Sequence, residues 1–331
     1  MRAYHSSQFV LPLPAGHSFP MGKYGALQVR VAAELPAVEL VEAAAATDGE
    51  LALVHTPRYI DAVVNGLLSP AEQREIGFPW TERMVQRSRR SVGATIEAGR
   101  TALAEGVSAN LAGGTHHAYA DKGAGYCVFN DVAVAARLLQ AESHRLNRRL
   151  LRIAVIDLDV HQGNGTAAIF RDDPTVFTLS LHGEKNYPFR KESGDLDVGL
   201  PDGCRDEAYL AALDESLDKL WDRHRDALPG LIFYLAGADP HEGDRLGRLK
   251  ISADGLAQRD RRVLEAARQR GIPVALSMAG GYGRVIDDTV AVHFNTMALA
   301  SQLQRQWAKT TMHPAVVGKS ARALDDGTMA A

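Results

Sequence analysis

The stretch RIAVIDLDVHQGNG, residues 152–165, begins as a strand buried on both faces and ends as something else. Isoleucine, valine and alanine run without alternation, the pattern of a central strand in a covered sheet. Asp157, Asp159 and His161 then appear at every second position. Side chains alternate along an extended chain, so all three lie on one face. Two buried carboxylates and an imidazole aimed at one region are costly without a compensating positive charge. A metal ion meets that need.

Three further apolar runs read as strands, at residues 176–181, 231–236 and 274–278. Helical patterns lie between most of them. Residues 130–140 form a helix capped by Asn130, with Val132, Ala135, Ala136 and Leu139 on one face. Residues 208–221 repeat the pattern through Leu210, Leu213, Leu217 and Leu220, and residues 256–270 do so up to a stop at Gly271. Upstream, residues 81–105 read as one or two helices and residues 32–46 as an alanine-rich helix. Strands alternating with helices predict a single α/β domain with a mainly parallel sheet flanked by helices on both faces. Residues 1–311 make up this domain, and residues 312–331 lose periodicity and read as a flexible tail. In such sheets ligands bind beyond the carboxyl ends of the strands.

Composition narrows the function. Of 331 residues 46% are apolar and 23% charged, ordinary for a globular enzyme. A net charge of −3 gives no electrostatic case for nucleic acid or a membrane surface. No apolar run is long enough to span a bilayer, and no signal peptide is evident. The two cysteines, Cys127 and Cys204, form neither a disulfide framework nor a zinc motif, so a reducing, cytoplasmic setting is expected.

The other strand ends carry polar groups as well. LAGGTHHA (residues 111–118) delivers adjacent His116 and His117, GADPHEGDRLG (237–247) places Asp239 after a strand, and LSMAGGYG (276–283) places Tyr282 after two glycines. Singly these are weak signals, since an aspartate after a strand is more often a helix cap and a loop histidine more often structural. Their joint occurrence at successive strand ends points to one site.

In that order, AGGTHHA, GYCVFNDVAVA, IDLDVHQGNGT, SLH, GADPHEGDRLG and AGGYG resemble the zinc-dependent histone deacetylases and their bacterial relatives, which include acetoin-utilisation proteins and acetylpolyamine deacetylases. The resemblance runs from residue 16 to about residue 300, and HQGNG, GDRLG and the single-tyrosine GGY look most like the class IV branch. It implies the arginase/deacetylase-like fold. It also implies zinc, with iron(II) as an alternative, bound by Asp159, His161 and Asp239, with an open position for water and substrate. His117 becomes the base toward metal-activated water and the acid toward the leaving amine, with His116 tuning the field beside its partner Asp157. Many members have a second aspartate where this chain has Asn164; a neutral partner leaves His117 neutral more often. Tyr282 becomes the donor to the substrate carbonyl. Gly125 and Tyr126 form a wall of the substrate tunnel. Asp157, Asp159, His161, Ser180 and Leu181 hold a potassium ion.

The function expected from the resemblance is removal of an acetyl or longer acyl group from lysine, in a protein or in a small acylated amine such as an acetylpolyamine. An arginase-like ureohydrolase needs further Asp/His motifs for a second metal, and the chain shows none. A non-catalytic acyl-lysine binder fits poorly with an intact ligand set and Tyr282. His182 reads as structural, Cys127 as a small buried hydrophobe, and His241 and Glu242 as rim residues. Residues 145–152 read as a solvated approach to the next strand, and Trp80, Trp221 and Trp307 as packing anchors. The sequence leaves the oligomeric state open.

Overall fold

Eight strands pair side by side, all seven pairings parallel, in the order β2-β1-β3-β8-β7-β4-β5-β6. The strands are β1 (Arg2–His5), β2 (Glu39–Glu42), β3 (Val107–Asn110), β4 (Ile153–Asp157), β5 (Val176–Gly183), β6 (Leu196–Leu200), β7 (Leu231–Leu235) and β8 (Val274–Ser277). The helices are α1 (Gly22–Glu34), α2 (Asp48–Leu51), α3 (Pro57–Val64), α4 (Pro70–Ile76), α5 (Glu82–Glu105), α6 (Asp131–Asn147), α7 (Asn164–Ile169), α8 (Asp206–Arg223), α9 (Ala253–Gln269) and α10 (Ile286–Thr311). This computed structural model describes residues 1–6, 10–14 and 16–311; the expected tail at 312–331 lies outside the described residues.

Side-chain alternation divides the interior into two cores. Ala154, Ile156, Ile232, Tyr234, Val274 and Leu276 face one side, where α1, α8, α9 and α10 pack. Ile153, Val155, Leu231, Phe233 and Ala275 face the other, against α3, α5 and α6. The four central strands β8, β7, β4 and β5 are buried throughout, as continuous apolar runs require. Asn130, Thr81 and Ser252 cap α6, α5 and α9 with side-chain oxygens.

Two readings of the sequence are corrected. Residues 32–46 are not one helix: α1 stops at Glu34, and the chain then forms β2. Leu35 precedes Pro36, whose ring disfavours helical backbone at the residue before it, and Leu35 sits at φ −121°, ψ 67°. The charged ends of β2, Glu39 and Glu42, suit the edge of the sheet. The strand expected at 153–159 leaves the ladder at Asp157, two residues earlier. Among the described residues, no helix is long and apolar enough to cross a membrane.

Candidate active site and metal centre

Strand alternation outlasts the ladder. Past Asp157 the chain keeps Leu158 and Val160 in the apolar core and turns Asp159 and His161 to the opposite side. The adjacent strand β7 ends at Leu235 and delivers Asp239. Asp159, His161 and Asp239 each offer a ligand atom within 4.8 Å of the others, and all three are buried. His161 Nδ1 lies 2.9 Å from Asp159 Oδ1 and 3.2 Å from Asp239 Oδ2. Tetrahedral zinc, with bonds of about 2.0–2.2 Å, spaces its donors about 3.4 Å apart. Asp239 Oδ2 is buried and accepts no hydrogen bond, which is the expected state of an oxygen reserved for a cation. The donor set and spacing therefore fit a divalent metal.

Electrostatics agree. Burial first, and the charge of Asp159 next, push Asp239 up to about 7. Two carboxylates so close resist carrying charge together; a dication removes the conflict. Gly280 is required here, because a Cβ on it would stand 1.9 Å from Asp239 Oδ2. Its amide instead donates to Asp159 Oδ2 at 2.7 Å, while Val160 N donates to Asp239 Oδ1 at 2.8 Å. Stripping the metal should lower Tm by on the order of 5 °C, a binding contribution of a few kcal/mol spread over a chain this long. Thermal melts with and without a chelator check this, and zinc should restore the loss. Equal melting curves would remove the metal from the site.

The histidine pair comes from the turn after β3. Asp131, in the first turn of α6, accepts from Gly114 N and Thr115 N at 3.0 and 2.8 Å and so fixes that turn. The two rings lie 4.1 Å apart and their partners differ. His116 Nδ1 donates to Asp157 Oδ2 at 2.6 Å, and His117 Nδ1 to Asn164 Oδ1 at 2.6 Å. For His116, burial favours the neutral form, but Asp157 and Asp159 outweigh it and raise the pKa to about 9. For His117, burial and the neighbouring imidazoles His116 and His161 push the pKa well below the ordinary value, against the weaker help of Asn164. The first ring holds its proton and the second is neutral near pH 7.

Tyr282 follows β8. Burial, then the charges of Asp159 and Asp239, hold its phenol well above the ordinary tyrosine range, so the hydroxyl is a donor. Its ring lies 6.2 Å from that of His161 and 6.0 Å from those of Phe19 and Tyr126. The GDRLG segment anchors its backbone: Tyr282 N donates to Asp244 Oδ2 at 2.6 Å, and Arg245 Nε donates to Tyr282 O at 3.0 Å. Lys23 Nζ, buried from α1, donates to Ala279 O and Gly281 O at 3.2 and 3.1 Å.

A channel of about 250 Å³ leads in, lined by Gly125, Tyr126, Tyr187 and Leu246 and reaching His117, His161 and Tyr282. Gly125, at φ +53°, lets the backbone pass the histidine, since a Cβ there would come 2.6 Å from His117 Cδ2. Tyr126 anchors to Ser18 Oγ at 2.6 Å. An inner chamber of about 40 Å³ lies against Asp159, His161, the histidine pair and Tyr282, and is lined as well by Phe19, Tyr24, Arg87 and Cys127.

Of the residues expected in the site, Asp159, His161, His116, His117, Gly125, Tyr126 and Tyr282 line these cavities, Asp239 completes the ligand cluster, and Asp157 and Asn164 stand behind the histidines. Asp157 and Ser180 sit side by side across β4 and β5, with Leu181 next to Ser180. His182 is buried and bonded to Ser180 Oγ, in keeping with a structural part. His241 and Glu242 do not line the channel; Tyr187 and Leu246 take that place. Tyr187 packs edge-on to His117 at 4.9 Å. Sequence reading missed Tyr187, Lys23 and Arg87, which lie in segments with no strand-end signal.

Residues 19–297 match the histone deacetylase domain family. An uncharacterized protein of Picosynechococcus is 43% identical over 88% of this chain and 94% of its own length. Histone deacetylase 2 of Arabidopsis thaliana is 33% identical over 83% of this chain and 73% of its own. The crystal structure of a histone deacetylase homologue complexed with SAHA superposes with a TM-score of 0.76 at 25% identity, covering 93% of this chain and 88% of that one. With the ligand cluster, paired histidines and tyrosine at the carboxyl ends of adjacent strands, the chain belongs to the histone deacetylase family.

Proposed function

We propose that this protein hydrolyses short acyl amides of lysine side chains, with a divalent metal held by Asp159, His161 and Asp239. The convergence of that cluster, the neutral His117 and the protonated Tyr282 at the floor of one channel carries the reading. The chemistry a bound divalent metal supplies is polarisation of the amide carbonyl and activation of water near neutral pH. His117 takes the proton from the attacking water at its free Nε2 and returns it to the leaving amine. His116, held charged by Asp157, adds positive field beside the developing negative charge. Tyr282 donates its hydroxyl to the carbonyl oxygen as that oxygen gains charge. Tyr126 and Tyr187 flank the aliphatic stem.

The size of the inner chamber argues for short acyl groups. At about 40 Å³ it has room for about three water-sized groups, and a long fatty chain does not fit. A hydrolysis panel on lysine peptides carrying acetyl through myristoyl, with acetylpolyamines alongside and zinc or iron(II) added, tests the reading. Acetyl to butyryl peptides should lead. No turnover of any acyl-lysine would sink the proposal, and a myristoyl optimum or a polyamine preference would reassign the substrate.

Zinc is the favoured metal on its ligand chemistry, with iron(II) the alternative, and the strand ends carrying Asp157, Ser180 and Leu181 support a structural potassium. Asn164, GDRLG and the single-tyrosine GGY support a place beside the class IV branch. Two free, buried cysteines support a reducing compartment such as the cytoplasm.

A further inference from the structure

The two strands that supply the carboxylate ligands leave the sheet together. Leu158 N still donates to Leu235 O at 3.0 Å, and Ala236 N to Ser277 O at 2.9 Å. Ala238 N goes on to donate to Gly280 O at 2.9 Å, but among the described residues no backbone hydrogen bond beyond Leu158 N joins the two ligand-bearing segments to each other, and a side chain takes over. Nη1 of Arg259, on α9, donates to Gly237 O at 2.6 Å and to Leu158 O at 3.3 Å. Leu158 immediately precedes Asp159, and Gly237 stands two residues before Asp239. One nitrogen therefore joins the two chains directly beneath their ligands.

Arg259 is fully buried. Its Nε donates to Asp260 Oδ1 at 2.8 Å, and Asp260 is itself held by the hydroxyls of Tyr234 and Thr296. Ion pairs this deep are poor stability devices, because desolvation consumes most of the attraction and apolar replacements of similar volume are often as stable. Packing α9 on the sheet does not require a guanidinium. Bridging two carbonyls at a fixed spacing does.

We propose that Arg259 is a positioning residue of the metal centre: by tying Leu158 O to Gly237 O it sets the separation of Asp159 and Asp239, and with it metal affinity and coordination geometry. The inference rests on the ligand assignment made above. Ligand groups are oriented by the partners behind them, and losing such a partner typically weakens metal binding about 10- to 100-fold.

The test uses the full chain. Arg259→Met combined with Asp260→Asn removes both charges together, so neither is left buried alone. Arg259→Lys keeps the charge but loses the planar fork. Zinc affinity by chelator competition, the visible spectrum of the cobalt(II)-loaded protein and the Tm of the metal-free protein are measured for each. The double variant should melt near wild type when metal-free, yet bind zinc about 10- to 100-fold more weakly and show altered cobalt bands. Arg259→Lys should fall between. Zinc affinity within twofold of wild type and superimposable cobalt spectra would overturn the proposal; if the double variant does not fold, Arg259→Lys decides by the same criterion. Wild-type hydrolysis judges the functional reading separately, so failure of one is told apart from failure of the other.

Discussion

Tyr282→Phe should lower kcat by roughly 10²–10³, the usual loss on removing one donor to a developing oxyanion, while KM moves little. The substitution is clean. Its ring sits among Phe19, Tyr126 and His161, and phenylalanine fills the same space. The backbone stays pinned by Asp244 and Arg245, so the loop has no reason to move. The lost group is a hydroxyl that burial and two nearby carboxylates keep protonated, so the defect should persist across the assay pH range. Steady-state kinetics on the best acyl-lysine peptide check this; an unchanged kcat would take Tyr282 out of the mechanism.

The central sheet was legible because burial on both faces forces a distinctive composition. β4, β5, β7 and β8 are all apolar runs broken by polar residues at one end. The other four strands were missed for physical reasons. β1 and β2 have four residues each, and β2 is flanked by glutamates that face water at the sheet edge. β3 reads VSAN, and its buried Asn110 looks like a turn residue until Ser91 O and Thr95 Oγ1 are seen to receive its amide. β6 alternates half-buried and exposed positions before ending on the buried Leu200, too short a run to stand out.

The site was legible for a related reason. A charged or polar group at the end of a buried strand is an anomaly on the chain itself, and Asp159, His161, Asp239 and Tyr282 are such anomalies, while His116 and His117 stand out as an adjacent pair in a glycine-rich turn although β3 before them does not. What stayed hidden acts through space. Lys23 and Arg87 sit on helices amid ordinary polar residues, and Tyr187 lies in the connection between β5 and β6. Arg259 belongs to a helix pattern in which an arginine normally faces solvent. Only the fold turns it toward the strand ends.

Asn164 is where the chain departs from the two-aspartate pattern, and it yields the second large effect. His117→Ala should abolish turnover nearly completely, since the ring with the free, unprotonated Nε2 is the only member of the pair able to accept a proton near pH 7. His116→Ala should leave measurable activity, because that ring is already charged beside Asp157. Asn164→Asp then tests the field. The new carboxylate stays within reach of His117 Nδ1, and the Tyr119 hydroxyl, which now accepts from Asn164 Nδ2 and donates to Glu192, can turn to donate instead. A carboxylate favours imidazolium, so the His117 pKa rises. The base works only when unprotonated, so activity is lost below its pKa, and raising that pKa moves the acidic limb of kcat/KM to higher pH. Full pH profiles of wild type, Asn164→Asp and the two alanine variants decide the matter. An acidic limb that stays in place, together with His116→Ala as the less active variant, would assign the base to His116.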